Sequence, residues 1–425
     1  MFFIYNYRKV ISLKNTALFL GLTHIGQVFS LGWASKFRSA AVYDTDFQLF
    51  ENFKNGNITT EEPKLDKFYQ KNKKKLLFLE KKEDIKYFKN IFFTYDTPLD
   101  FDGKPQIIKI NNKLKDIINF LSPNTNLIIL SQVPCGFCDN LFKNLCEEKN
   151  INLIYMVDTL IMGSALESFL RPSRLIFGIN KKTKFLNNFK KFNCPIFFLN
   201  FQEAELVKIS INLYLFTNVT FANCMDYYCR EKNFKFKDIN KPIKLDKRIG
   251  INSYLNPSLG ISGGHLERDL FTTISSTKNN YVKIFYNALK KINDSRFNLL
   301  VRSYNSRKLF VNFNKIIWIG ISYKKNSFSL KNSPFLKFLN FLKTERIILN
   351  SYDSIYDISD LNYQISSPFF LNKKKKYLLI YNYSNDKDKK NLKNMLNKNK
   401  NIICLDISLD SSLYKNNFEN YENLL

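Results

Sequence analysis

Thr16-Ala17-Leu18-Phe19-Leu20-Gly21-Leu22-Thr23-His24-Ile25-Gly26 is the stretch on which the organisation of this chain turns. A short apolar run, 16–20, breaks at Gly21, and the turn through Gly26 opens a helical stretch to about residue 36. A second apolar run, Ala40–Tyr43, ends in Asp44. Strand, glycine turn, helix, strand, acid is the order of a dinucleotide-binding βαβ unit. In such a unit the first glycine permits the tight turn, the second admits pyrophosphate, and the third lets helix and strand approach. Here Thr23 stands at the second position. A carboxylate at Asp44 can accept hydrogen bonds from both ribose hydroxyls of NAD and would repel the 2′-phosphate of NADP. On these residues alone an α/β turn without a ligand remains the competing reading.

Working outward, strand-like runs follow at 91–94, 127–130 and 153–156, separated by helical or polar stretches. Such alternation predicts a parallel sheet with helices on both faces. From 202 to about 229 the period changes to that of a helix, with Ala204, Val207, Ile211, Leu215, Val219 and Ala222 recurring and no Pro or Gly. One long helix is expected there, dividing the halves and offering a dimer surface. Further strands are expected at 315–321, near 346–349, at Tyr377–Tyr381 and at 401–405, making a second, smaller α/β unit. Residues after about 410 read as a polar tail, and no solenoid-type repeat is evident.

The chain has 425 residues, which at roughly 100–200 per domain predicts two or three domains. A hydrophobic content of 45% and an aromatic content of 16% exclude wholesale disorder. Lys and Arg number 65 against 37 acidic residues, a formal charge of +28, which by itself suggests a nucleic-acid or anionic-membrane partner. The lysines are spread along the chain, however, and no nucleic-acid-binding motif accompanies them; solvated faces are the expected place for most. No apolar run reaches 18 residues, so no membrane insertion is expected. The run after Lys14-Asn15 reads as a first strand and not as a signal peptide. Seven cysteines, an odd number in a long chain, argue against a disulfide framework and for a reducing cytoplasm.

Three stretches could carry chemistry. Cys135-Gly136-Phe137-Cys138 is a C-x-x-C after a strand. A redox dithiol there competes with incidental loop cysteines, which is the expected reading; no second pair completes a zinc site. Lys208 and Asn212, four apart, share a face of the long helix, with Glu205 beside them; a solvated polar face is the default for such a set. The stretch 254–269 is a glycine-rich loop running into His265, Arg268 and Asp269, which offers close backbone approach together with acid–base and anion-binding groups.

Together these residues resemble the UDP-glucose/GDP-mannose dehydrogenase family, over nearly the whole chain and in order. GLTHIGQ (21–27) and VYDTD (42–46) resemble its nucleotide-binding start. Thr97-Pro98 in YDTPLDFDGKP (95–105) resembles its VGTP segment. GSALESFLRPSRLIFG (163–178), EAELVKISINLYLFT (203–217), RIGINSYLNPSLGISGGHLERD (248–269) and SYKKNSFSLKNSP (322–334) resemble, in turn, its GSA segment, central helix, substrate loop and the approach to its C-terminal domain.

The resemblance implies an α/β protein of three parts. Residues 1–200 would be a Rossmann-type NAD domain, 201–300 a central dimerising helix with the substrate loop, and 301–425 a smaller Rossmann-like domain for the nucleotide sugar. It implies NAD-dependent oxidation at C6 of a UDP- or GDP-linked sugar by a homodimer, with no metal and no nucleic acid. By position, Lys208 and Asn212 would hold the sugar and stabilise oxyanions, with Asp269, His265 and Asp158 as the other catalytic groups. Gly21, Ile25, Gly26, Asp44, Thr97, Gln132, Arg268 and Lys331 would contact the cofactor. Arg248, Tyr254, Asn256, Ser258, Ser262 and Lys324 would contact the substrate.

The chain departs from the family pattern around the reacting carbon. The family's GG-x-C-F-P-K-D loop supplies a cysteine that attacks the aldehyde, and His265 stands there, followed by Glu267 and Arg268. Ser131-Gln132 replaces a serine–threonine pair, Asp158 and Met162 replace a Glu-x-x-x-Glu, and Thr23 and Lys331 replace a Gly and an Arg. Three readings stand: a nucleotide-sugar dehydrogenase with an altered or impaired second oxidation; a non-catalytic relative that binds NAD or a nucleotide sugar as a regulatory or structural partner; and a nucleic-acid binder on a reused fold.

Overall fold

The computed structural model describes residues 13, 16–58, 60, 62–98, 100, 105–322, 330, 332–355, 358, 364–369, 371–408 and 420–425. The chain divides into two compact units between Ile211 and Asn212.

The first unit is built on eight strands: β1 (Ala17–Leu20), β2 (Ala40–Tyr43), β3 (Leu76–Phe78), β4 (Asn90–Phe93), β5 (Asn126–Ile129), β6 (Asn152–Met156), β7 (Leu175–Ile179) and β8 (Ile196–Leu199). Their order is β3-β2-β1-β4-β5-β6-β7-β8, so the first six follow the doubly wound dinucleotide-binding order. The intervening helices are α1 (His24–Phe37), α2 (Phe47–Asn55), α3 (Leu65–Asn72), α4 (Ile107–Ile118), α5 (Phe137–Leu141) and α6 (Ala165–Leu170). β1 and β2 are apolar at every position, and β4 and β5 are so after their leading asparagines, because both faces are covered. Phe19 packs with Trp33 and Phe92 on one face, while Leu18 and Leu20 join Ile110 and Leu114 of α4 on the other. Phe19 stacks on Phe92 of the neighbouring strand, ring centroids 4.6 Å apart.

A helix, α7 (Phe201–Glu231), contains the division between the units. The second unit continues with α8 (Phe236–Leu245), α9 (His265–Ser276), α10 (Asn280–Ser295), α11 (Phe297–Lys308), β9 (Lys315–Ile319), α12 (Pro334–Thr344), β10 (Leu349–Tyr352), β11 (Tyr377–Tyr381), α13 (Asp386–Lys398), β12 (Ile402–Asp406) and β13 (Tyr421–Asn423). Its sheet is wholly parallel, in the order β10-β9-β11-β12-β13. Trp318 and Phe338 anchor the core on the face that α12 covers, and Leu379 and Leu392 lie in the core beneath α13.

Four sequence expectations are corrected. The first sheet is not all parallel: β7 runs antiparallel to β6, since an antiparallel step near one side of a doubly wound sheet costs little once α6 and its turn reverse the chain. The strand expected near 346–349 starts at Leu349, because Arg346 takes a left-handed φ of 57° just ahead of it. The polar tail ends in structure: β13 pairs with β12, and Leu424 and Leu425 are buried in the core. Nor is the polar face of α7 solvated, for Glu205, Asn212, Thr220, Asn223 and Asp226 are all buried. Among the described residues no helix is long and apolar enough to cross a membrane.

Candidate active site

In the first unit the turn after β1 is held by close backbone approach. A Cβ added at Gly26 would lie 1.8 Å from the Gly21 carbonyl oxygen, and Gly21 has a φ of 103° that other residues rarely adopt. Thr23, the side chain at the second glycine position, turns inward and donates from Oγ1 to the Thr94 carbonyl at 2.8 Å. Ile25 is half-buried against the core. Asp44 closes the turn: Leu22 N donates to Oδ2 at 2.5 Å and Asp46 N to Oδ1 at 2.9 Å. Burial pushes the Asp44 carboxyl up; those two amides and the Lys113 ammonium oppose the shift. A carboxylate has about four acceptor sites, so Asp44 keeps capacity for ribose hydroxyls. It lines a cavity of about 230 Å³ with Thr23, Tyr95, Lys109 and Lys113. This cradle and its acid fit the adenosine end of NAD.

Thr97 and Gln132 meet on the adjoining loops, where Thr97 Oγ1 donates to the Gln132 carbonyl at 2.6 Å. Asp158 and Lys208 also come together, Nζ donating to the Asp158 carbonyl at 2.7 Å and lying 3.4 Å from Oδ2. Glu205, one turn earlier on α7, accepts from Gly136 N at 2.6 Å and Cys138 N at 2.8 Å. That contact disposes of a reactive dithiol, because burial and then Glu205 hold the Cys138 thiol well above its ordinary range.

In the second unit Asn212 Nδ2 donates to Asp269 Oδ2 at 2.8 Å, and Arg268 Nε lies 3.5 Å from Asp269 Oδ1, all three side chains being buried. His265 is exposed and is the first residue of α9, so the stretch from His265 to Asp269 is helical. Tyr254, Asn256, Ser258 and Ser262 line one cavity of about 500 Å³, with Asn382, Ser384 and Ser408 at the carboxyl ends of β11 and β12. Arg248 is exposed, does not line that cavity, and pairs with Asp246, NH2 to Oδ2 at 2.6 Å. Lys324 and Lys331 lie outside the described residues.

Sequence reasoning missed a second copy of the nucleotide turn. Gly320 N donates to the Tyr352 carbonyl at 2.9 Å, as Gly21 N does to Tyr43 at 2.9 Å. Ile321 N and Ile355 N donate to the two oxygens of Asp353, at 3.0 and 2.9 Å, as Leu22 and Asp46 do to Asp44. The difference is Tyr383, whose hydroxyl donates to Asp353 Oδ2 at 2.6 Å. The signal available was the Tyr-Asp pair after an apolar run, 43–44 and again 352–353.

The fold and these turns define a two-unit α/β protein whose first unit binds a dinucleotide in the manner of NAD-dependent oxidoreductases. Profiles of the UDP-glucose/GDP-mannose dehydrogenase family match residues 15–192 for its NAD binding domain and 202–295 for its central domain. A UDP-glucose 6-dehydrogenase of Campylobacter jejuni is 30% identical over 389 residues, covering 87% of this chain and 94% of that protein. A UDP-N-acetyl-D-mannosamine dehydrogenase of Methanocaldococcus jannaschii is 24% identical, covering 72% and 71%. The solved structure of a UDP-glucose dehydrogenase from Pyrobaculum islandicum superposes with a TM-score of 0.84 at 19% identity, over 96% of this chain and 97% of that one. The chain belongs to the UDP-glucose/GDP-mannose dehydrogenase family, and its cofactor is NAD.

Proposed function

We propose that the protein oxidises the C6 hydroxyl of a UDP- or GDP-linked sugar with NAD, and that its second oxidation, from aldehyde to carboxylate, is altered or impaired. The buried Asn212–Asp269 hydrogen bond carries the reading: an amide and a carboxylate kept together out of water suit orienting a hydroxyl and handling its proton. NAD, when bound, accepts the hydride from C6. Lys208 and Asn212, four apart on α7, hold the sugar and stabilise the alkoxide oxygen from which that hydride leaves. Asp158 orients the Lys208 ammonium. In this division of labour residues 1–200 serve NAD, 201–300 the dimer and substrate loop, and 301–425 the nucleotide, with Tyr254 to Ser262 wrapping the substrate.

His265 sets the limit. An imidazole is a poor carrier of a stable acyl group, so no thioester route is open at this position. The aldehyde instead leaves, or adds water with Asp269 and His265 as base, and the hydrate becomes the carboxylate as its hydride passes to a second NAD. A protein that binds both ligands without turnover is the alternative, which the exposed position of His265 favours. The seven free thiols suit a reducing cytoplasm. The chain pairs with a second copy through the outer face of α7, where Tyr214, Phe221 and Tyr228 are exposed at seven-residue spacing.

The test is NADH formation at 340 nm with a panel of UDP- and GDP-sugars. The expected outcome is one NADH per sugar where the aldehyde leaves and two where its hydrate is oxidised, with a gain of uronate in His265→Cys in either case. Binding of sugar nucleotide with no absorbance rise in either protein would select the non-catalytic alternative.

A further inference from the structure

Two short helices of the first unit begin without help from their own side chains. At the start of α5 the N-cap is Gly136, and at the start of α6 it is Ser164, whose hydroxyl caps nothing. In both cases the unpaired amides are met by a glutamate distant in sequence. Glu205 of α7 accepts from Gly136 N and Cys138 N, at 2.6 and 2.8 Å. Glu62 accepts from Gly163 N at 2.9 Å and Ala165 N at 2.6 Å, and His24 Nε2 lies 3.2 Å from its second oxygen. Both carboxylates are buried. Burying a charge is costly unless its oxygens are bonded, and a helix N-terminus is where a carboxylate is best received.

The segments so capped carry the site. The loop ahead of α5 contains Ser131, which donates to the Tyr95 carbonyl at 2.5 Å, and Gln132, which receives Thr97. The segment ahead of α6 contains Asp158, the partner of Lys208. Glu205 sits three residues before Lys208, and His24 is the first residue of α1, at the nucleotide turn. Each glutamate therefore joins a loop of the site to an element that bears a ligand-facing group.

We propose that Glu62 and Glu205 are a matched pair of positioning residues, remote caps that hold the 158–164 and 131–136 loops in register with the nucleotide turn and with Lys208. This rests on the reading of the first unit as NAD-binding. Neither glutamate touches the reacting atoms; both act through the loops. Burial pushes Glu205 up, and the hydrogen bonds from Cys138 and Gly136 only partly oppose the shift. Burial pushes Glu62 the same way, but His24 and the two amides outweigh it and hold that carboxyl below its usual range.

The isosteric variants Glu205→Gln and Glu62→Gln test this. Each keeps one acceptor oxygen and turns an amide donor toward a backbone N–H. Hydrogen exchange is expected to quicken roughly ten-fold at 131–141 in the first variant, with 158–170 unchanged, and the reverse in the second. The dissociation constant for NAD is expected to rise about ten-fold in each, with the melting temperature nearly unmoved. Exchange that is unchanged, or raised evenly over the unit, overturns the proposal, as does unaltered NAD affinity. Should Glu205→Gln fail to fold, exchange in the parent protein decides: NAD must protect both 131–141 and 158–170, and protection of neither overturns the proposal. A parent protein that binds no NAD refutes the cofactor reading itself, and the exchange pattern then reduces both glutamates to structural caps.

Discussion

Asp44 and Lys235 show how far a single residue can be read. Asp44 was visible as an acid after a second strand, and the structure gives it a cavity and two backbone amides. Glu62 and Glu205 were not legible, since a glutamate 69 positions from the amide it caps leaves no local pattern. Lys235 was equally silent. Burial, then the neighbouring Lys237 and Arg230, lower its ammonium from 10.5 to about 8. Between about 8 and 10.5 the unfolded chain holds the extra proton, so this group makes stability rise with pH across that window. Below it, the folded state bears the full cost of a crowded cation. Lys235→Met should therefore raise the melting temperature at pH 7 by roughly 2 °C, discounted for the solvent that still screens the side chain. The gain should vanish as pH approaches 10; a gain independent of pH would refute the assignment.

At the scale of elements, α7 is held to the 254–262 loop by one buried guanidinium. Arg296 donates from NH2 to Asp226 Oδ2 at 2.8 Å, from NH1 to the Asn223 carbonyl at 3.3 Å and from Nε to the Ser258 carbonyl at 2.9 Å, while lying over Tyr227. Asn223 Oδ1 accepts from Ser258 N at 2.7 Å on the same loop. The helix itself was legible from its apolar period, but that its polar stripe faces inward was not. Periodicity locates the faces of a helix; only the packing of other elements decides which polar face is covered. Asp226→Asn should cost about 3–5 kcal/mol, because it leaves Arg296 charged, buried and unpaired. Urea unfolding that shows less than about 1 kcal/mol of loss would mean that water reaches the pair. The Tyr254–Ser262 cavity should suffer as well, with nucleotide-sugar affinity falling together with stability.

Across the whole molecule, the exposed stripe of Tyr214, Phe221 and Tyr228 bears on assembly. Large apolar side chains repeated at seven-residue spacing on one side of a long helix suit a second helix laid against them. Light scattering should give twice the 50.2 kDa chain mass. The Tyr214→Lys, Phe221→Lys, Tyr228→Lys triple variant should give the monomer mass with its fold retained; a parent protein already monomeric would refute the pairing. By itself the sequence determined the two α/β units, the long helix, the nucleotide turn and the family, because these rest on local periodicity, on glycine where the backbone needs it, and on residues a few positions apart. Tertiary structure alone decided the antiparallel step at β7, the burial of the last residues against β12, the partners of Glu62, Glu205 and Arg296, and the repeated Asp353 turn closed by Tyr383. Each of these joins groups 17 or more residues apart. The free energy of burying a charge or pairing a strand depends on which distant groups arrive beside it, and no window along the chain contains that information.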